Sequence, residues 1–72
     1  MVHPVDVAVG KALRYWRLKR DMSQQQVAVA VGVSYQMVQK YEAAESRVSM
    51  GRLCDLAEVL QVEIMDLVDC RG

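Results

Sequence analysis

Three serines divide this chain into short helices, because each one precedes a run of apolar residues at helical spacing. Ser23 stands three residues before Gln26, as in a capping box, where the hydroxyl accepts from the Gln26 amide and the glutamine side chain accepts from the serine amide. Ser34 and Ser49 stand in the same position before the next two apolar runs. Since the chain has only 72 residues, the sequence predicts one small bundle of short helices.

The segment after Ser23 carries conflicting signals. Its VAVAV run, residues 27–31, alternates β-branched and small residues, which is typical of a strand. The capping box, the helix-forming Ala28 and Ala30, and Gly32 as a left-handed stop favour a helix instead. A lone strand of this length would also have no partner to pair with. We therefore expect a second helix that begins directly after Ser23 and stops at Gly32.

The first helix is expected at about 6–20, where Val9, Leu13 and Met22 recur at near-helical spacing together with Trp16 or Arg17. Asp6 is its expected N-cap. Residues 1–5 then form a flexible arm that precedes the folded domain.

Two more helices are expected in the C-terminal part of the chain. Ser49 caps a helix with a clear apolar stripe, and a short fifth helix follows a turn at 61–63. The residues of the stripe are Met50, Leu53, Leu56, Ala57 and Leu60. The predicted fold class is therefore all-α, with one five-helix domain over residues 6–69 and a tail over 70–72.

Charge is divided unevenly along the chain, although its formal net value is zero. Residues 1–41 hold six basic against two acidic side chains, which leaves +4, and residues 42–72 hold three against seven, which leaves −4. This asymmetry suggests a basic face for a polyanion and an acidic opposite side, although a run of charge is more often simply a solvated face.

Several classes of protein are disfavoured. The longest apolar run, residues 27–33, has seven residues, far short of the roughly 18–20 that a membrane span needs, and no signal peptide is expected. Two cysteines and one histidine are too few for a disulfide framework or a metal cluster. We expect a cytoplasmic protein with reduced thiols and no metal, cofactor or evident small-molecule ligand. No nucleophile and base stand at a catalytic spacing, so an enzyme is not expected.

Residues 24–43 combine a helix, a three-residue turn with a glycine, and a second helix, which is the layout of a helix-turn-helix. Ala28 is small where the two helices must approach each other, and Gly32 supplies the turn. The residues expected to fill the seam are Val27, Val31, Val33, Val38 and Tyr41. Taken alone, these features fit either a DNA-binding motif or an ordinary small bundle.

The chain resembles the Cro and phage-repressor type of helix-turn-helix protein, also called the xenobiotic-response-element (XRE) family. The resemblance lies in the stretches DVAVGKALRYWRLKRDMSQQQVAVAVGVSYQMVQKYE and RVSMGRLCDLAEVLQV, within residues 6–68. It implies a lambda-repressor-like domain of five α-helices whose third helix, about 35–43, enters the major groove of a double-stranded DNA operator.

The resemblance also implies roles for individual residues. Positions that read bases in the family match Tyr35, Gln36, Gln39 and Lys40, and positions that contact phosphate match Gln24 and Ser34. Glutamine pairs bidentately with adenine, lysine donates to guanine, and a tyrosine ring contacts a thymine methyl or a phosphate. Four arginines are additional candidates for phosphate contacts: Arg14, Arg20, Arg47 and Arg52.

Arg17 and Glu42 match a pair that the family joins by a salt bridge between the first helix and the end of the recognition helix, a role that we read as structural. Directly after Glu42, the chain departs from the family, which usually has glycine and a polar or basic residue there. This chain has Ala44, which lacks the easy left-handed geometry of glycine, and Glu45, whose charge repels a DNA backbone. We therefore expect modest or strongly salt-dependent affinity for DNA.

Two functions follow as hypotheses. The first is sequence-specific DNA binding by a transcriptional regulator, expected to be a repressor and a homodimer, because one recognition helix reads only a few base pairs. Its expected dimer surface is the apolar region around Ile64, Met65, Leu67 and Val68, unless these residues simply close the core. The second is a protein-interaction module or antitoxin-like partner with the same fold, whose acidic half binds a basic protein.

Overall fold

In the computed structural model, which describes residues 3–68, five α-helices follow one another and no strand forms within that range. They are α1 (Pro4–Lys19), α2 (Gln24–Val31), α3 (Tyr35–Glu42), α4 (Met50–Leu60) and α5 (Ile64–Val68). Helix α1 packs against α3, α5 and α4, and α2 packs against α3 and α4. The predicted all-α class is confirmed. The tail over 70–72 and the first two residues of the predicted arm lie outside the described residues.

The three serine caps are present as predicted. Both hydrogen bonds of the capping box form, at 3.0 Å from the Gln26 amide to the Ser23 hydroxyl and at 2.8 Å from the Ser23 amide to the glutamine side chain. Ser34 and Ser49 each accept from the amide three residues further on, at 3.1 and 3.2 Å. Gly32 ends α2 in the left-handed region, with φ +86°. The prediction of a helix rather than a strand for the VAVAV run is therefore confirmed.

Helix α1 begins earlier than predicted, at Pro4, and its N-cap is His3. The His3 Nδ1 accepts from the Val5 amide at 3.0 Å, and proline suits the first helical position because it has no N–H to satisfy. The prediction of Asp6 as the N-cap was wrong: Asp6 lies in the first turn, where a carboxylate interacts favourably with the helix dipole. Pro4 and Val5 therefore belong to the helix rather than to the arm.

The core lies between the inner faces of all five helices. Its buried residues are Val9, Leu13, Val27, Ala28, Val31, Val38, Tyr41, Leu53, Leu56, Ala57, Leu60 and Leu67. The predicted seam of the helix-turn-helix is confirmed, since Val33 also packs against this core. The predicted apolar stripe of α4 is one turn too long, because Met50 occupies the first position of the helix and is 65% exposed, and burial begins at Leu53.

Helix α5 mainly closes the core. Leu67 is fully buried, and Ile64 and Val68 pack against the core, whereas Met65 is 70% exposed. Most of the apolar residues that were predicted to form a dimer surface therefore pack in or against the core of this one chain.

Gly10 brings α1 unusually close to the end of α3. A Cβ atom at this buried position would lie 2.7 Å from the carbonyl oxygens of both Tyr41 and Glu42, a distance that real Cβ atoms do not adopt. Glycine in the middle of a helix costs ~0.5–1 kcal/mol relative to alanine, and the close crossing accounts for its presence. No local pattern in the sequence indicates this role of Gly10.

Candidate nucleic-acid interface

The outer face of α3 is polar and open to solvent. Tyr35, Gln36, Gln39 and Lys40 are exposed, whereas Val38 and Tyr41 of the same helix are buried in the core. The cap at Ser34 fixes where the helix starts, and the two buried residues fix which side faces inward. The predicted base-reading residues thus share one exposed surface.

An open groove of about 630 Å³ lies beside this face, between α1, the first turn of α2 and α3. Its lining residues are Arg14, Arg17, Ser23, Gln24, Gln25, Tyr35, Gln39, Glu42 and Ala43. The groove brings together residues predicted to contact phosphate and residues predicted to contact bases. Gln25 also lines the groove and was not predicted as a site residue. Its position next to Gln24 in the first turn of α2 is the sequence feature that could have indicated it.

One wall of the groove is held by an ion pair between α1 and α3. The Arg17 Nε donates to Glu42 Oε2 at 2.7 Å and its Nη2 donates to Oε1 at 3.1 Å, while Nη1 donates to the Met22 carbonyl at 3.0 Å. Only 11% of the arginine side chain and 7% of the glutamate side chain are exposed. Two parallel bonds fix the relative orientation of the two groups, so the predicted pair is present and links the two helices.

Gln24 joins the same carboxylate. Its Nε2 donates to Glu42 Oε1 at 3.0 Å, which ties the start of α2 to the end of α3. This side chain is therefore engaged inside the protein. Its backbone amide is one of those at the start of a helix that have no partner within the helix, and the positive end of the helix dipole favours an anion there.

Two of the predicted base-reading residues are bonded to each other. The Gln39 Nε2 donates to the Tyr35 hydroxyl at 2.9 Å. The two residues are four positions apart, a spacing that places side chains on the same face of a helix. The bond was not predicted from the sequence, where each residue was expected to contact DNA separately.

The four candidate phosphate arginines occupy different places. Arg14 is exposed and lines the groove beside α3. Arg20 instead joins the ends of α1 and α4, because its Nε donates to the Leu60 carbonyl at 2.8 Å and its Nη2 donates to the Gln61 carbonyl at 3.2 Å. Its guanidinium also lies 5.3 Å from the centre of the Trp16 ring.

The other two arginines are also engaged elsewhere. The Arg52 Nη1 donates to the Val31 carbonyl at 3.1 Å, so this residue links α4 to the end of α2. Arg47 pairs with Asp6 at 3.4 Å beside the start of α1, and its side chain is 74% exposed. Neither residue lines the groove beside α3. The four arginines looked equivalent in the sequence, but only Arg14 lines the groove, and the other three bind partners elsewhere in the protein.

The chain leaves α3 through a tight hydrogen-bonded turn. The Glu45 amide donates to the Lys40 carbonyl at 2.8 Å and the Ala44 amide donates to the Tyr41 carbonyl at 3.2 Å, which is the pattern of a Schellman motif. Ala44 has φ +60°, so alanine occupies a left-handed position that glycine adopts more easily. Glu45 is exposed directly after the helix.

Among residues 3–68, no helix combines the length and apolar character that crossing a membrane requires. No group of three or more histidine, cysteine or acidic residues in this range is placed to hold a metal ion.

Comparison with known proteins places the chain in a family. A helix-turn-helix family model, HTH_3, matches residues 13–67. An uncharacterized transcriptional regulator in the ATPase CF(0) region of Rhodospirillum rubrum is 41% identical over 63 residues, which are 88% of this chain and 58% of that protein. The chain spans about half the length of the curated relatives it matches.

Solved structures show the same fold. The restriction-modification controller protein C.AhdI from Aeromonas hydrophila superposes with a TM-score of 0.82 and 29% identity over 86% of this chain and 94% of its own. The clp gene regulator ClgR from Corynebacterium glutamicum superposes with a TM-score of 0.85 and 25% identity over 90% and 84%. The chain therefore belongs to the HTH_3 family of helix-turn-helix proteins, the XRE type that its sequence resembles.

Proposed function

We propose that this chain binds double-stranded DNA in a sequence-specific way, as a transcriptional regulator. The observation that carries the proposal is the exposed polar face of α3 beside a groove lined by Arg14 and by the first turn of α2. An α-helix fits the major groove of B-DNA, and a helix N-terminus next to it suits a phosphate. The single glutamate of α3 does not repel DNA strongly, because Glu42 is paired with Arg17.

The similar proteins support this function. The relative from Rhodospirillum rubrum is described as a transcriptional regulator, ClgR as a regulator of a clp gene, and C.AhdI as a controller protein of a restriction-modification system. Each matches this chain over at least 86% of its length.

The proposed contacts with DNA fall into two groups, those with bases and those with phosphates, according to where the residues lie on the surface. Gln36, Gln39 and Lys40, with the ring of Tyr35, project from α3 and are proposed to read base edges. Three groups flank them and are proposed to hold phosphates: Arg14, the backbone amide of Gln24 and the hydroxyl of Ser34. The Ser34 oxygen accepts from the Met37 amide, so its own O–H remains to donate to a phosphate. Arg47 and Arg52 are weaker candidates because each already has another partner.

We further propose that the protein acts as a repressor and as a homodimer. A single α3 covers only a few base pairs, whereas two copies related by a two-fold axis read two half-sites about one helical turn apart. The exposed Met65 on α5 is the part of the predicted dimer surface that the core does not use. Analytical ultracentrifugation of the protein and of a Met65→Lys variant tests this point: the variant is expected to be monomeric at concentrations where the parent dimerises.

The test of DNA binding begins with selection of preferred sites from random duplexes. Replacing Gln36 with alanine is expected to cost ~1–3 kcal/mol of binding free energy on the selected site and little on random DNA. Arg14→Ala is expected to weaken binding to all sequences alike and to reduce the dependence of log affinity on log salt. Lys19→Ala is the matched control, since it removes an exposed basic side chain that does not line the groove and is not among the proposed phosphate contacts. Equal losses for Gln36→Ala on both kinds of DNA would contradict base reading by that residue.

The alternative is a protein-interaction module with the same fold. The exposed Glu45 and the net charge of −4 over residues 42–72 favour it. Titration of mixed duplex DNA over a range of salt concentrations separates the two functions, because phosphate neutralisation makes log affinity fall with log salt. Absence of any salt dependence would support the interaction module.

A further inference from the structure

The bond between Tyr35 and Gln39 determines which groups of the glutamine are left for DNA. A carboxamide has one acceptor oxygen and two N–H donors, and one of these donors is taken by the tyrosine hydroxyl at 2.9 Å. The Oε1 atom and the second N–H remain. Since the tyrosine oxygen accepts this bond, its own proton also remains to be donated outward.

The remaining groups match adenine better than guanine. Adenine presents a donor at N6 and an acceptor at N7 in the major groove, which complement Oε1 and the free N–H. Guanine presents two acceptors, O6 and N7, so a carboxamide held in this orientation would turn its oxygen toward another acceptor. The terminal torsion of a glutamine is broad and roughly two-fold, and a free glutamine therefore rotates to present N–H to either base.

We propose that Tyr35 is a positioning residue for Gln39: its hydroxyl holds the carboxamide in the orientation that pairs with adenine and thereby sets the base preference at the position that Gln39 reads. The proposal rests on the proposed function, because it concerns discrimination by the same face of α3.

The position of the pair explains why the bond matters in the complex. Both residues are exposed, and water competes with such a bond in the free protein. When DNA excludes water from the groove, the local dielectric constant falls and the same hydrogen bond becomes stronger. Tyr35 is 40% exposed and lines the groove beside α3 together with Gln39, so the bond lies where bound DNA would exclude water.

The test uses the full chain and duplexes that differ only by adenine or guanine at one position. That position is the one where Gln39→Ala abolishes the base preference. Tyr35→Phe keeps the ring and removes the hydroxyl, and it is expected to lower the ratio of adenine to guanine affinity about fivefold, the effect of one neutral hydrogen bond. In a Gln39→Ala background, the same change is expected to leave the ratio unaltered.

Tyr15→Phe is the matched control, because Tyr15 is exposed on α1 and lies outside the residues that line the groove. An unchanged ratio in Tyr35→Phe would overturn the proposal, as would equal loss of affinity for both duplexes, which would mean that the hydroxyl contacts the DNA backbone by itself. A parent protein without any base preference would overturn the proposed function as well. If the parent protein has a base preference and Tyr35→Phe leaves it unchanged, the positioning role alone is overturned.

Discussion

The two ends of α3 are built in opposite ways. Its C-terminal end is fixed: Tyr41 is buried, the Glu42 carboxylate accepts three hydrogen bonds, and Gly10 of α1 lies against the backbone of both residues. Its N-terminal end has the serine cap and one exposed bond between side chains. The difference separates two tasks: Tyr41 and Glu42 set where the helix lies, whereas the N-terminal end and the outer face that continues to Lys40 are free to contact a partner. Substitutions at the two ends should therefore differ in kind.

The largest effect is expected from Arg17→Met, which leaves the Glu42 carboxylate with Gln24 as its side-chain partner. Removing one member of a buried ion pair costs ~3–5 kcal/mol, because the other charge stays buried without compensation. We expect a loss of this order in the free energy of unfolding, measured by urea denaturation followed by circular dichroism.

The double variant Arg17→Met/Glu42→Leu is the control for this prediction. Replacing both members of a buried pair by apolar residues is often neutral or stabilising, so the double variant should be more stable than Arg17→Met. If Arg17→Met unfolded at the same urea concentration as the parent, the ion pair would not be what fixes this end of α3.

The next effect is expected from Gly10→Ala. The added Cβ would meet the carbonyl oxygens of Tyr41 and Glu42 at 2.7 Å, and backbone atoms cannot move aside as a side chain does. Overpacking of this kind costs ~1–3 kcal/mol. Thermal unfolding measures it. Gly51→Ala in α4 is the matched control, because nothing lies within 4 Å of the new atom, and alanine is expected to stabilise that helix by about 0.5–1 kcal/mol.

A smaller, opposite effect is expected from Ala44→Gly, immediately after the fixed end. Ala44 has φ +60°, where an L-residue with a Cβ is strained by about 1–2 kcal/mol and glycine is not. We expect stabilisation by roughly 0.5–1 kcal/mol after the entropy cost of glycine is subtracted. Ala43 has φ −86°, so Ala43→Gly should destabilise the protein. Destabilisation by Ala44→Gly in the same denaturation experiment would contradict the strain argument.

The smallest effect on stability is expected at the open end. Gln36→Ala removes an exposed side chain and should change the free energy of unfolding by less than about 0.5 kcal/mol. A loss as large as that of Gly10→Ala would show that the outer face of α3 also supports the fold, and the contrast between the two ends would fail.

Much of the fold follows from local signals. A serine before an apolar run and a glycine after one are read over three or four residues, and for this reason Ser23, Ser34, Ser49 and Gly32 placed α2, α3 and α4 correctly. The same reasoning failed at α1, where Asp6 looked like the usual cap but Pro4 had already started the helix and His3 capped it.

Contacts between distant parts of the chain were harder to predict. The sequence shows Gly10 only as a glycine within a helical pattern. Its close contact with the end of α3 cannot be predicted until the position of α3 is known. Arg14 and Arg20 look alike in the sequence, yet a long side chain lets Arg20 reach carbonyl groups 40 and 41 residues away. The pairing of Arg17 with Glu42 was expected from the family resemblance, whereas the third partner, Gln24, was not.

The separation within α3 also bears on how such a protein changes its target. Since Gln36, Gln39 and Lys40 lie outside the buried core, new specificities should be graftable at these positions without rebuilding the scaffold. Substitutions at these positions, whether they arise in evolution or by design, would then change the DNA sequence that the protein prefers while its melting temperature stays nearly constant.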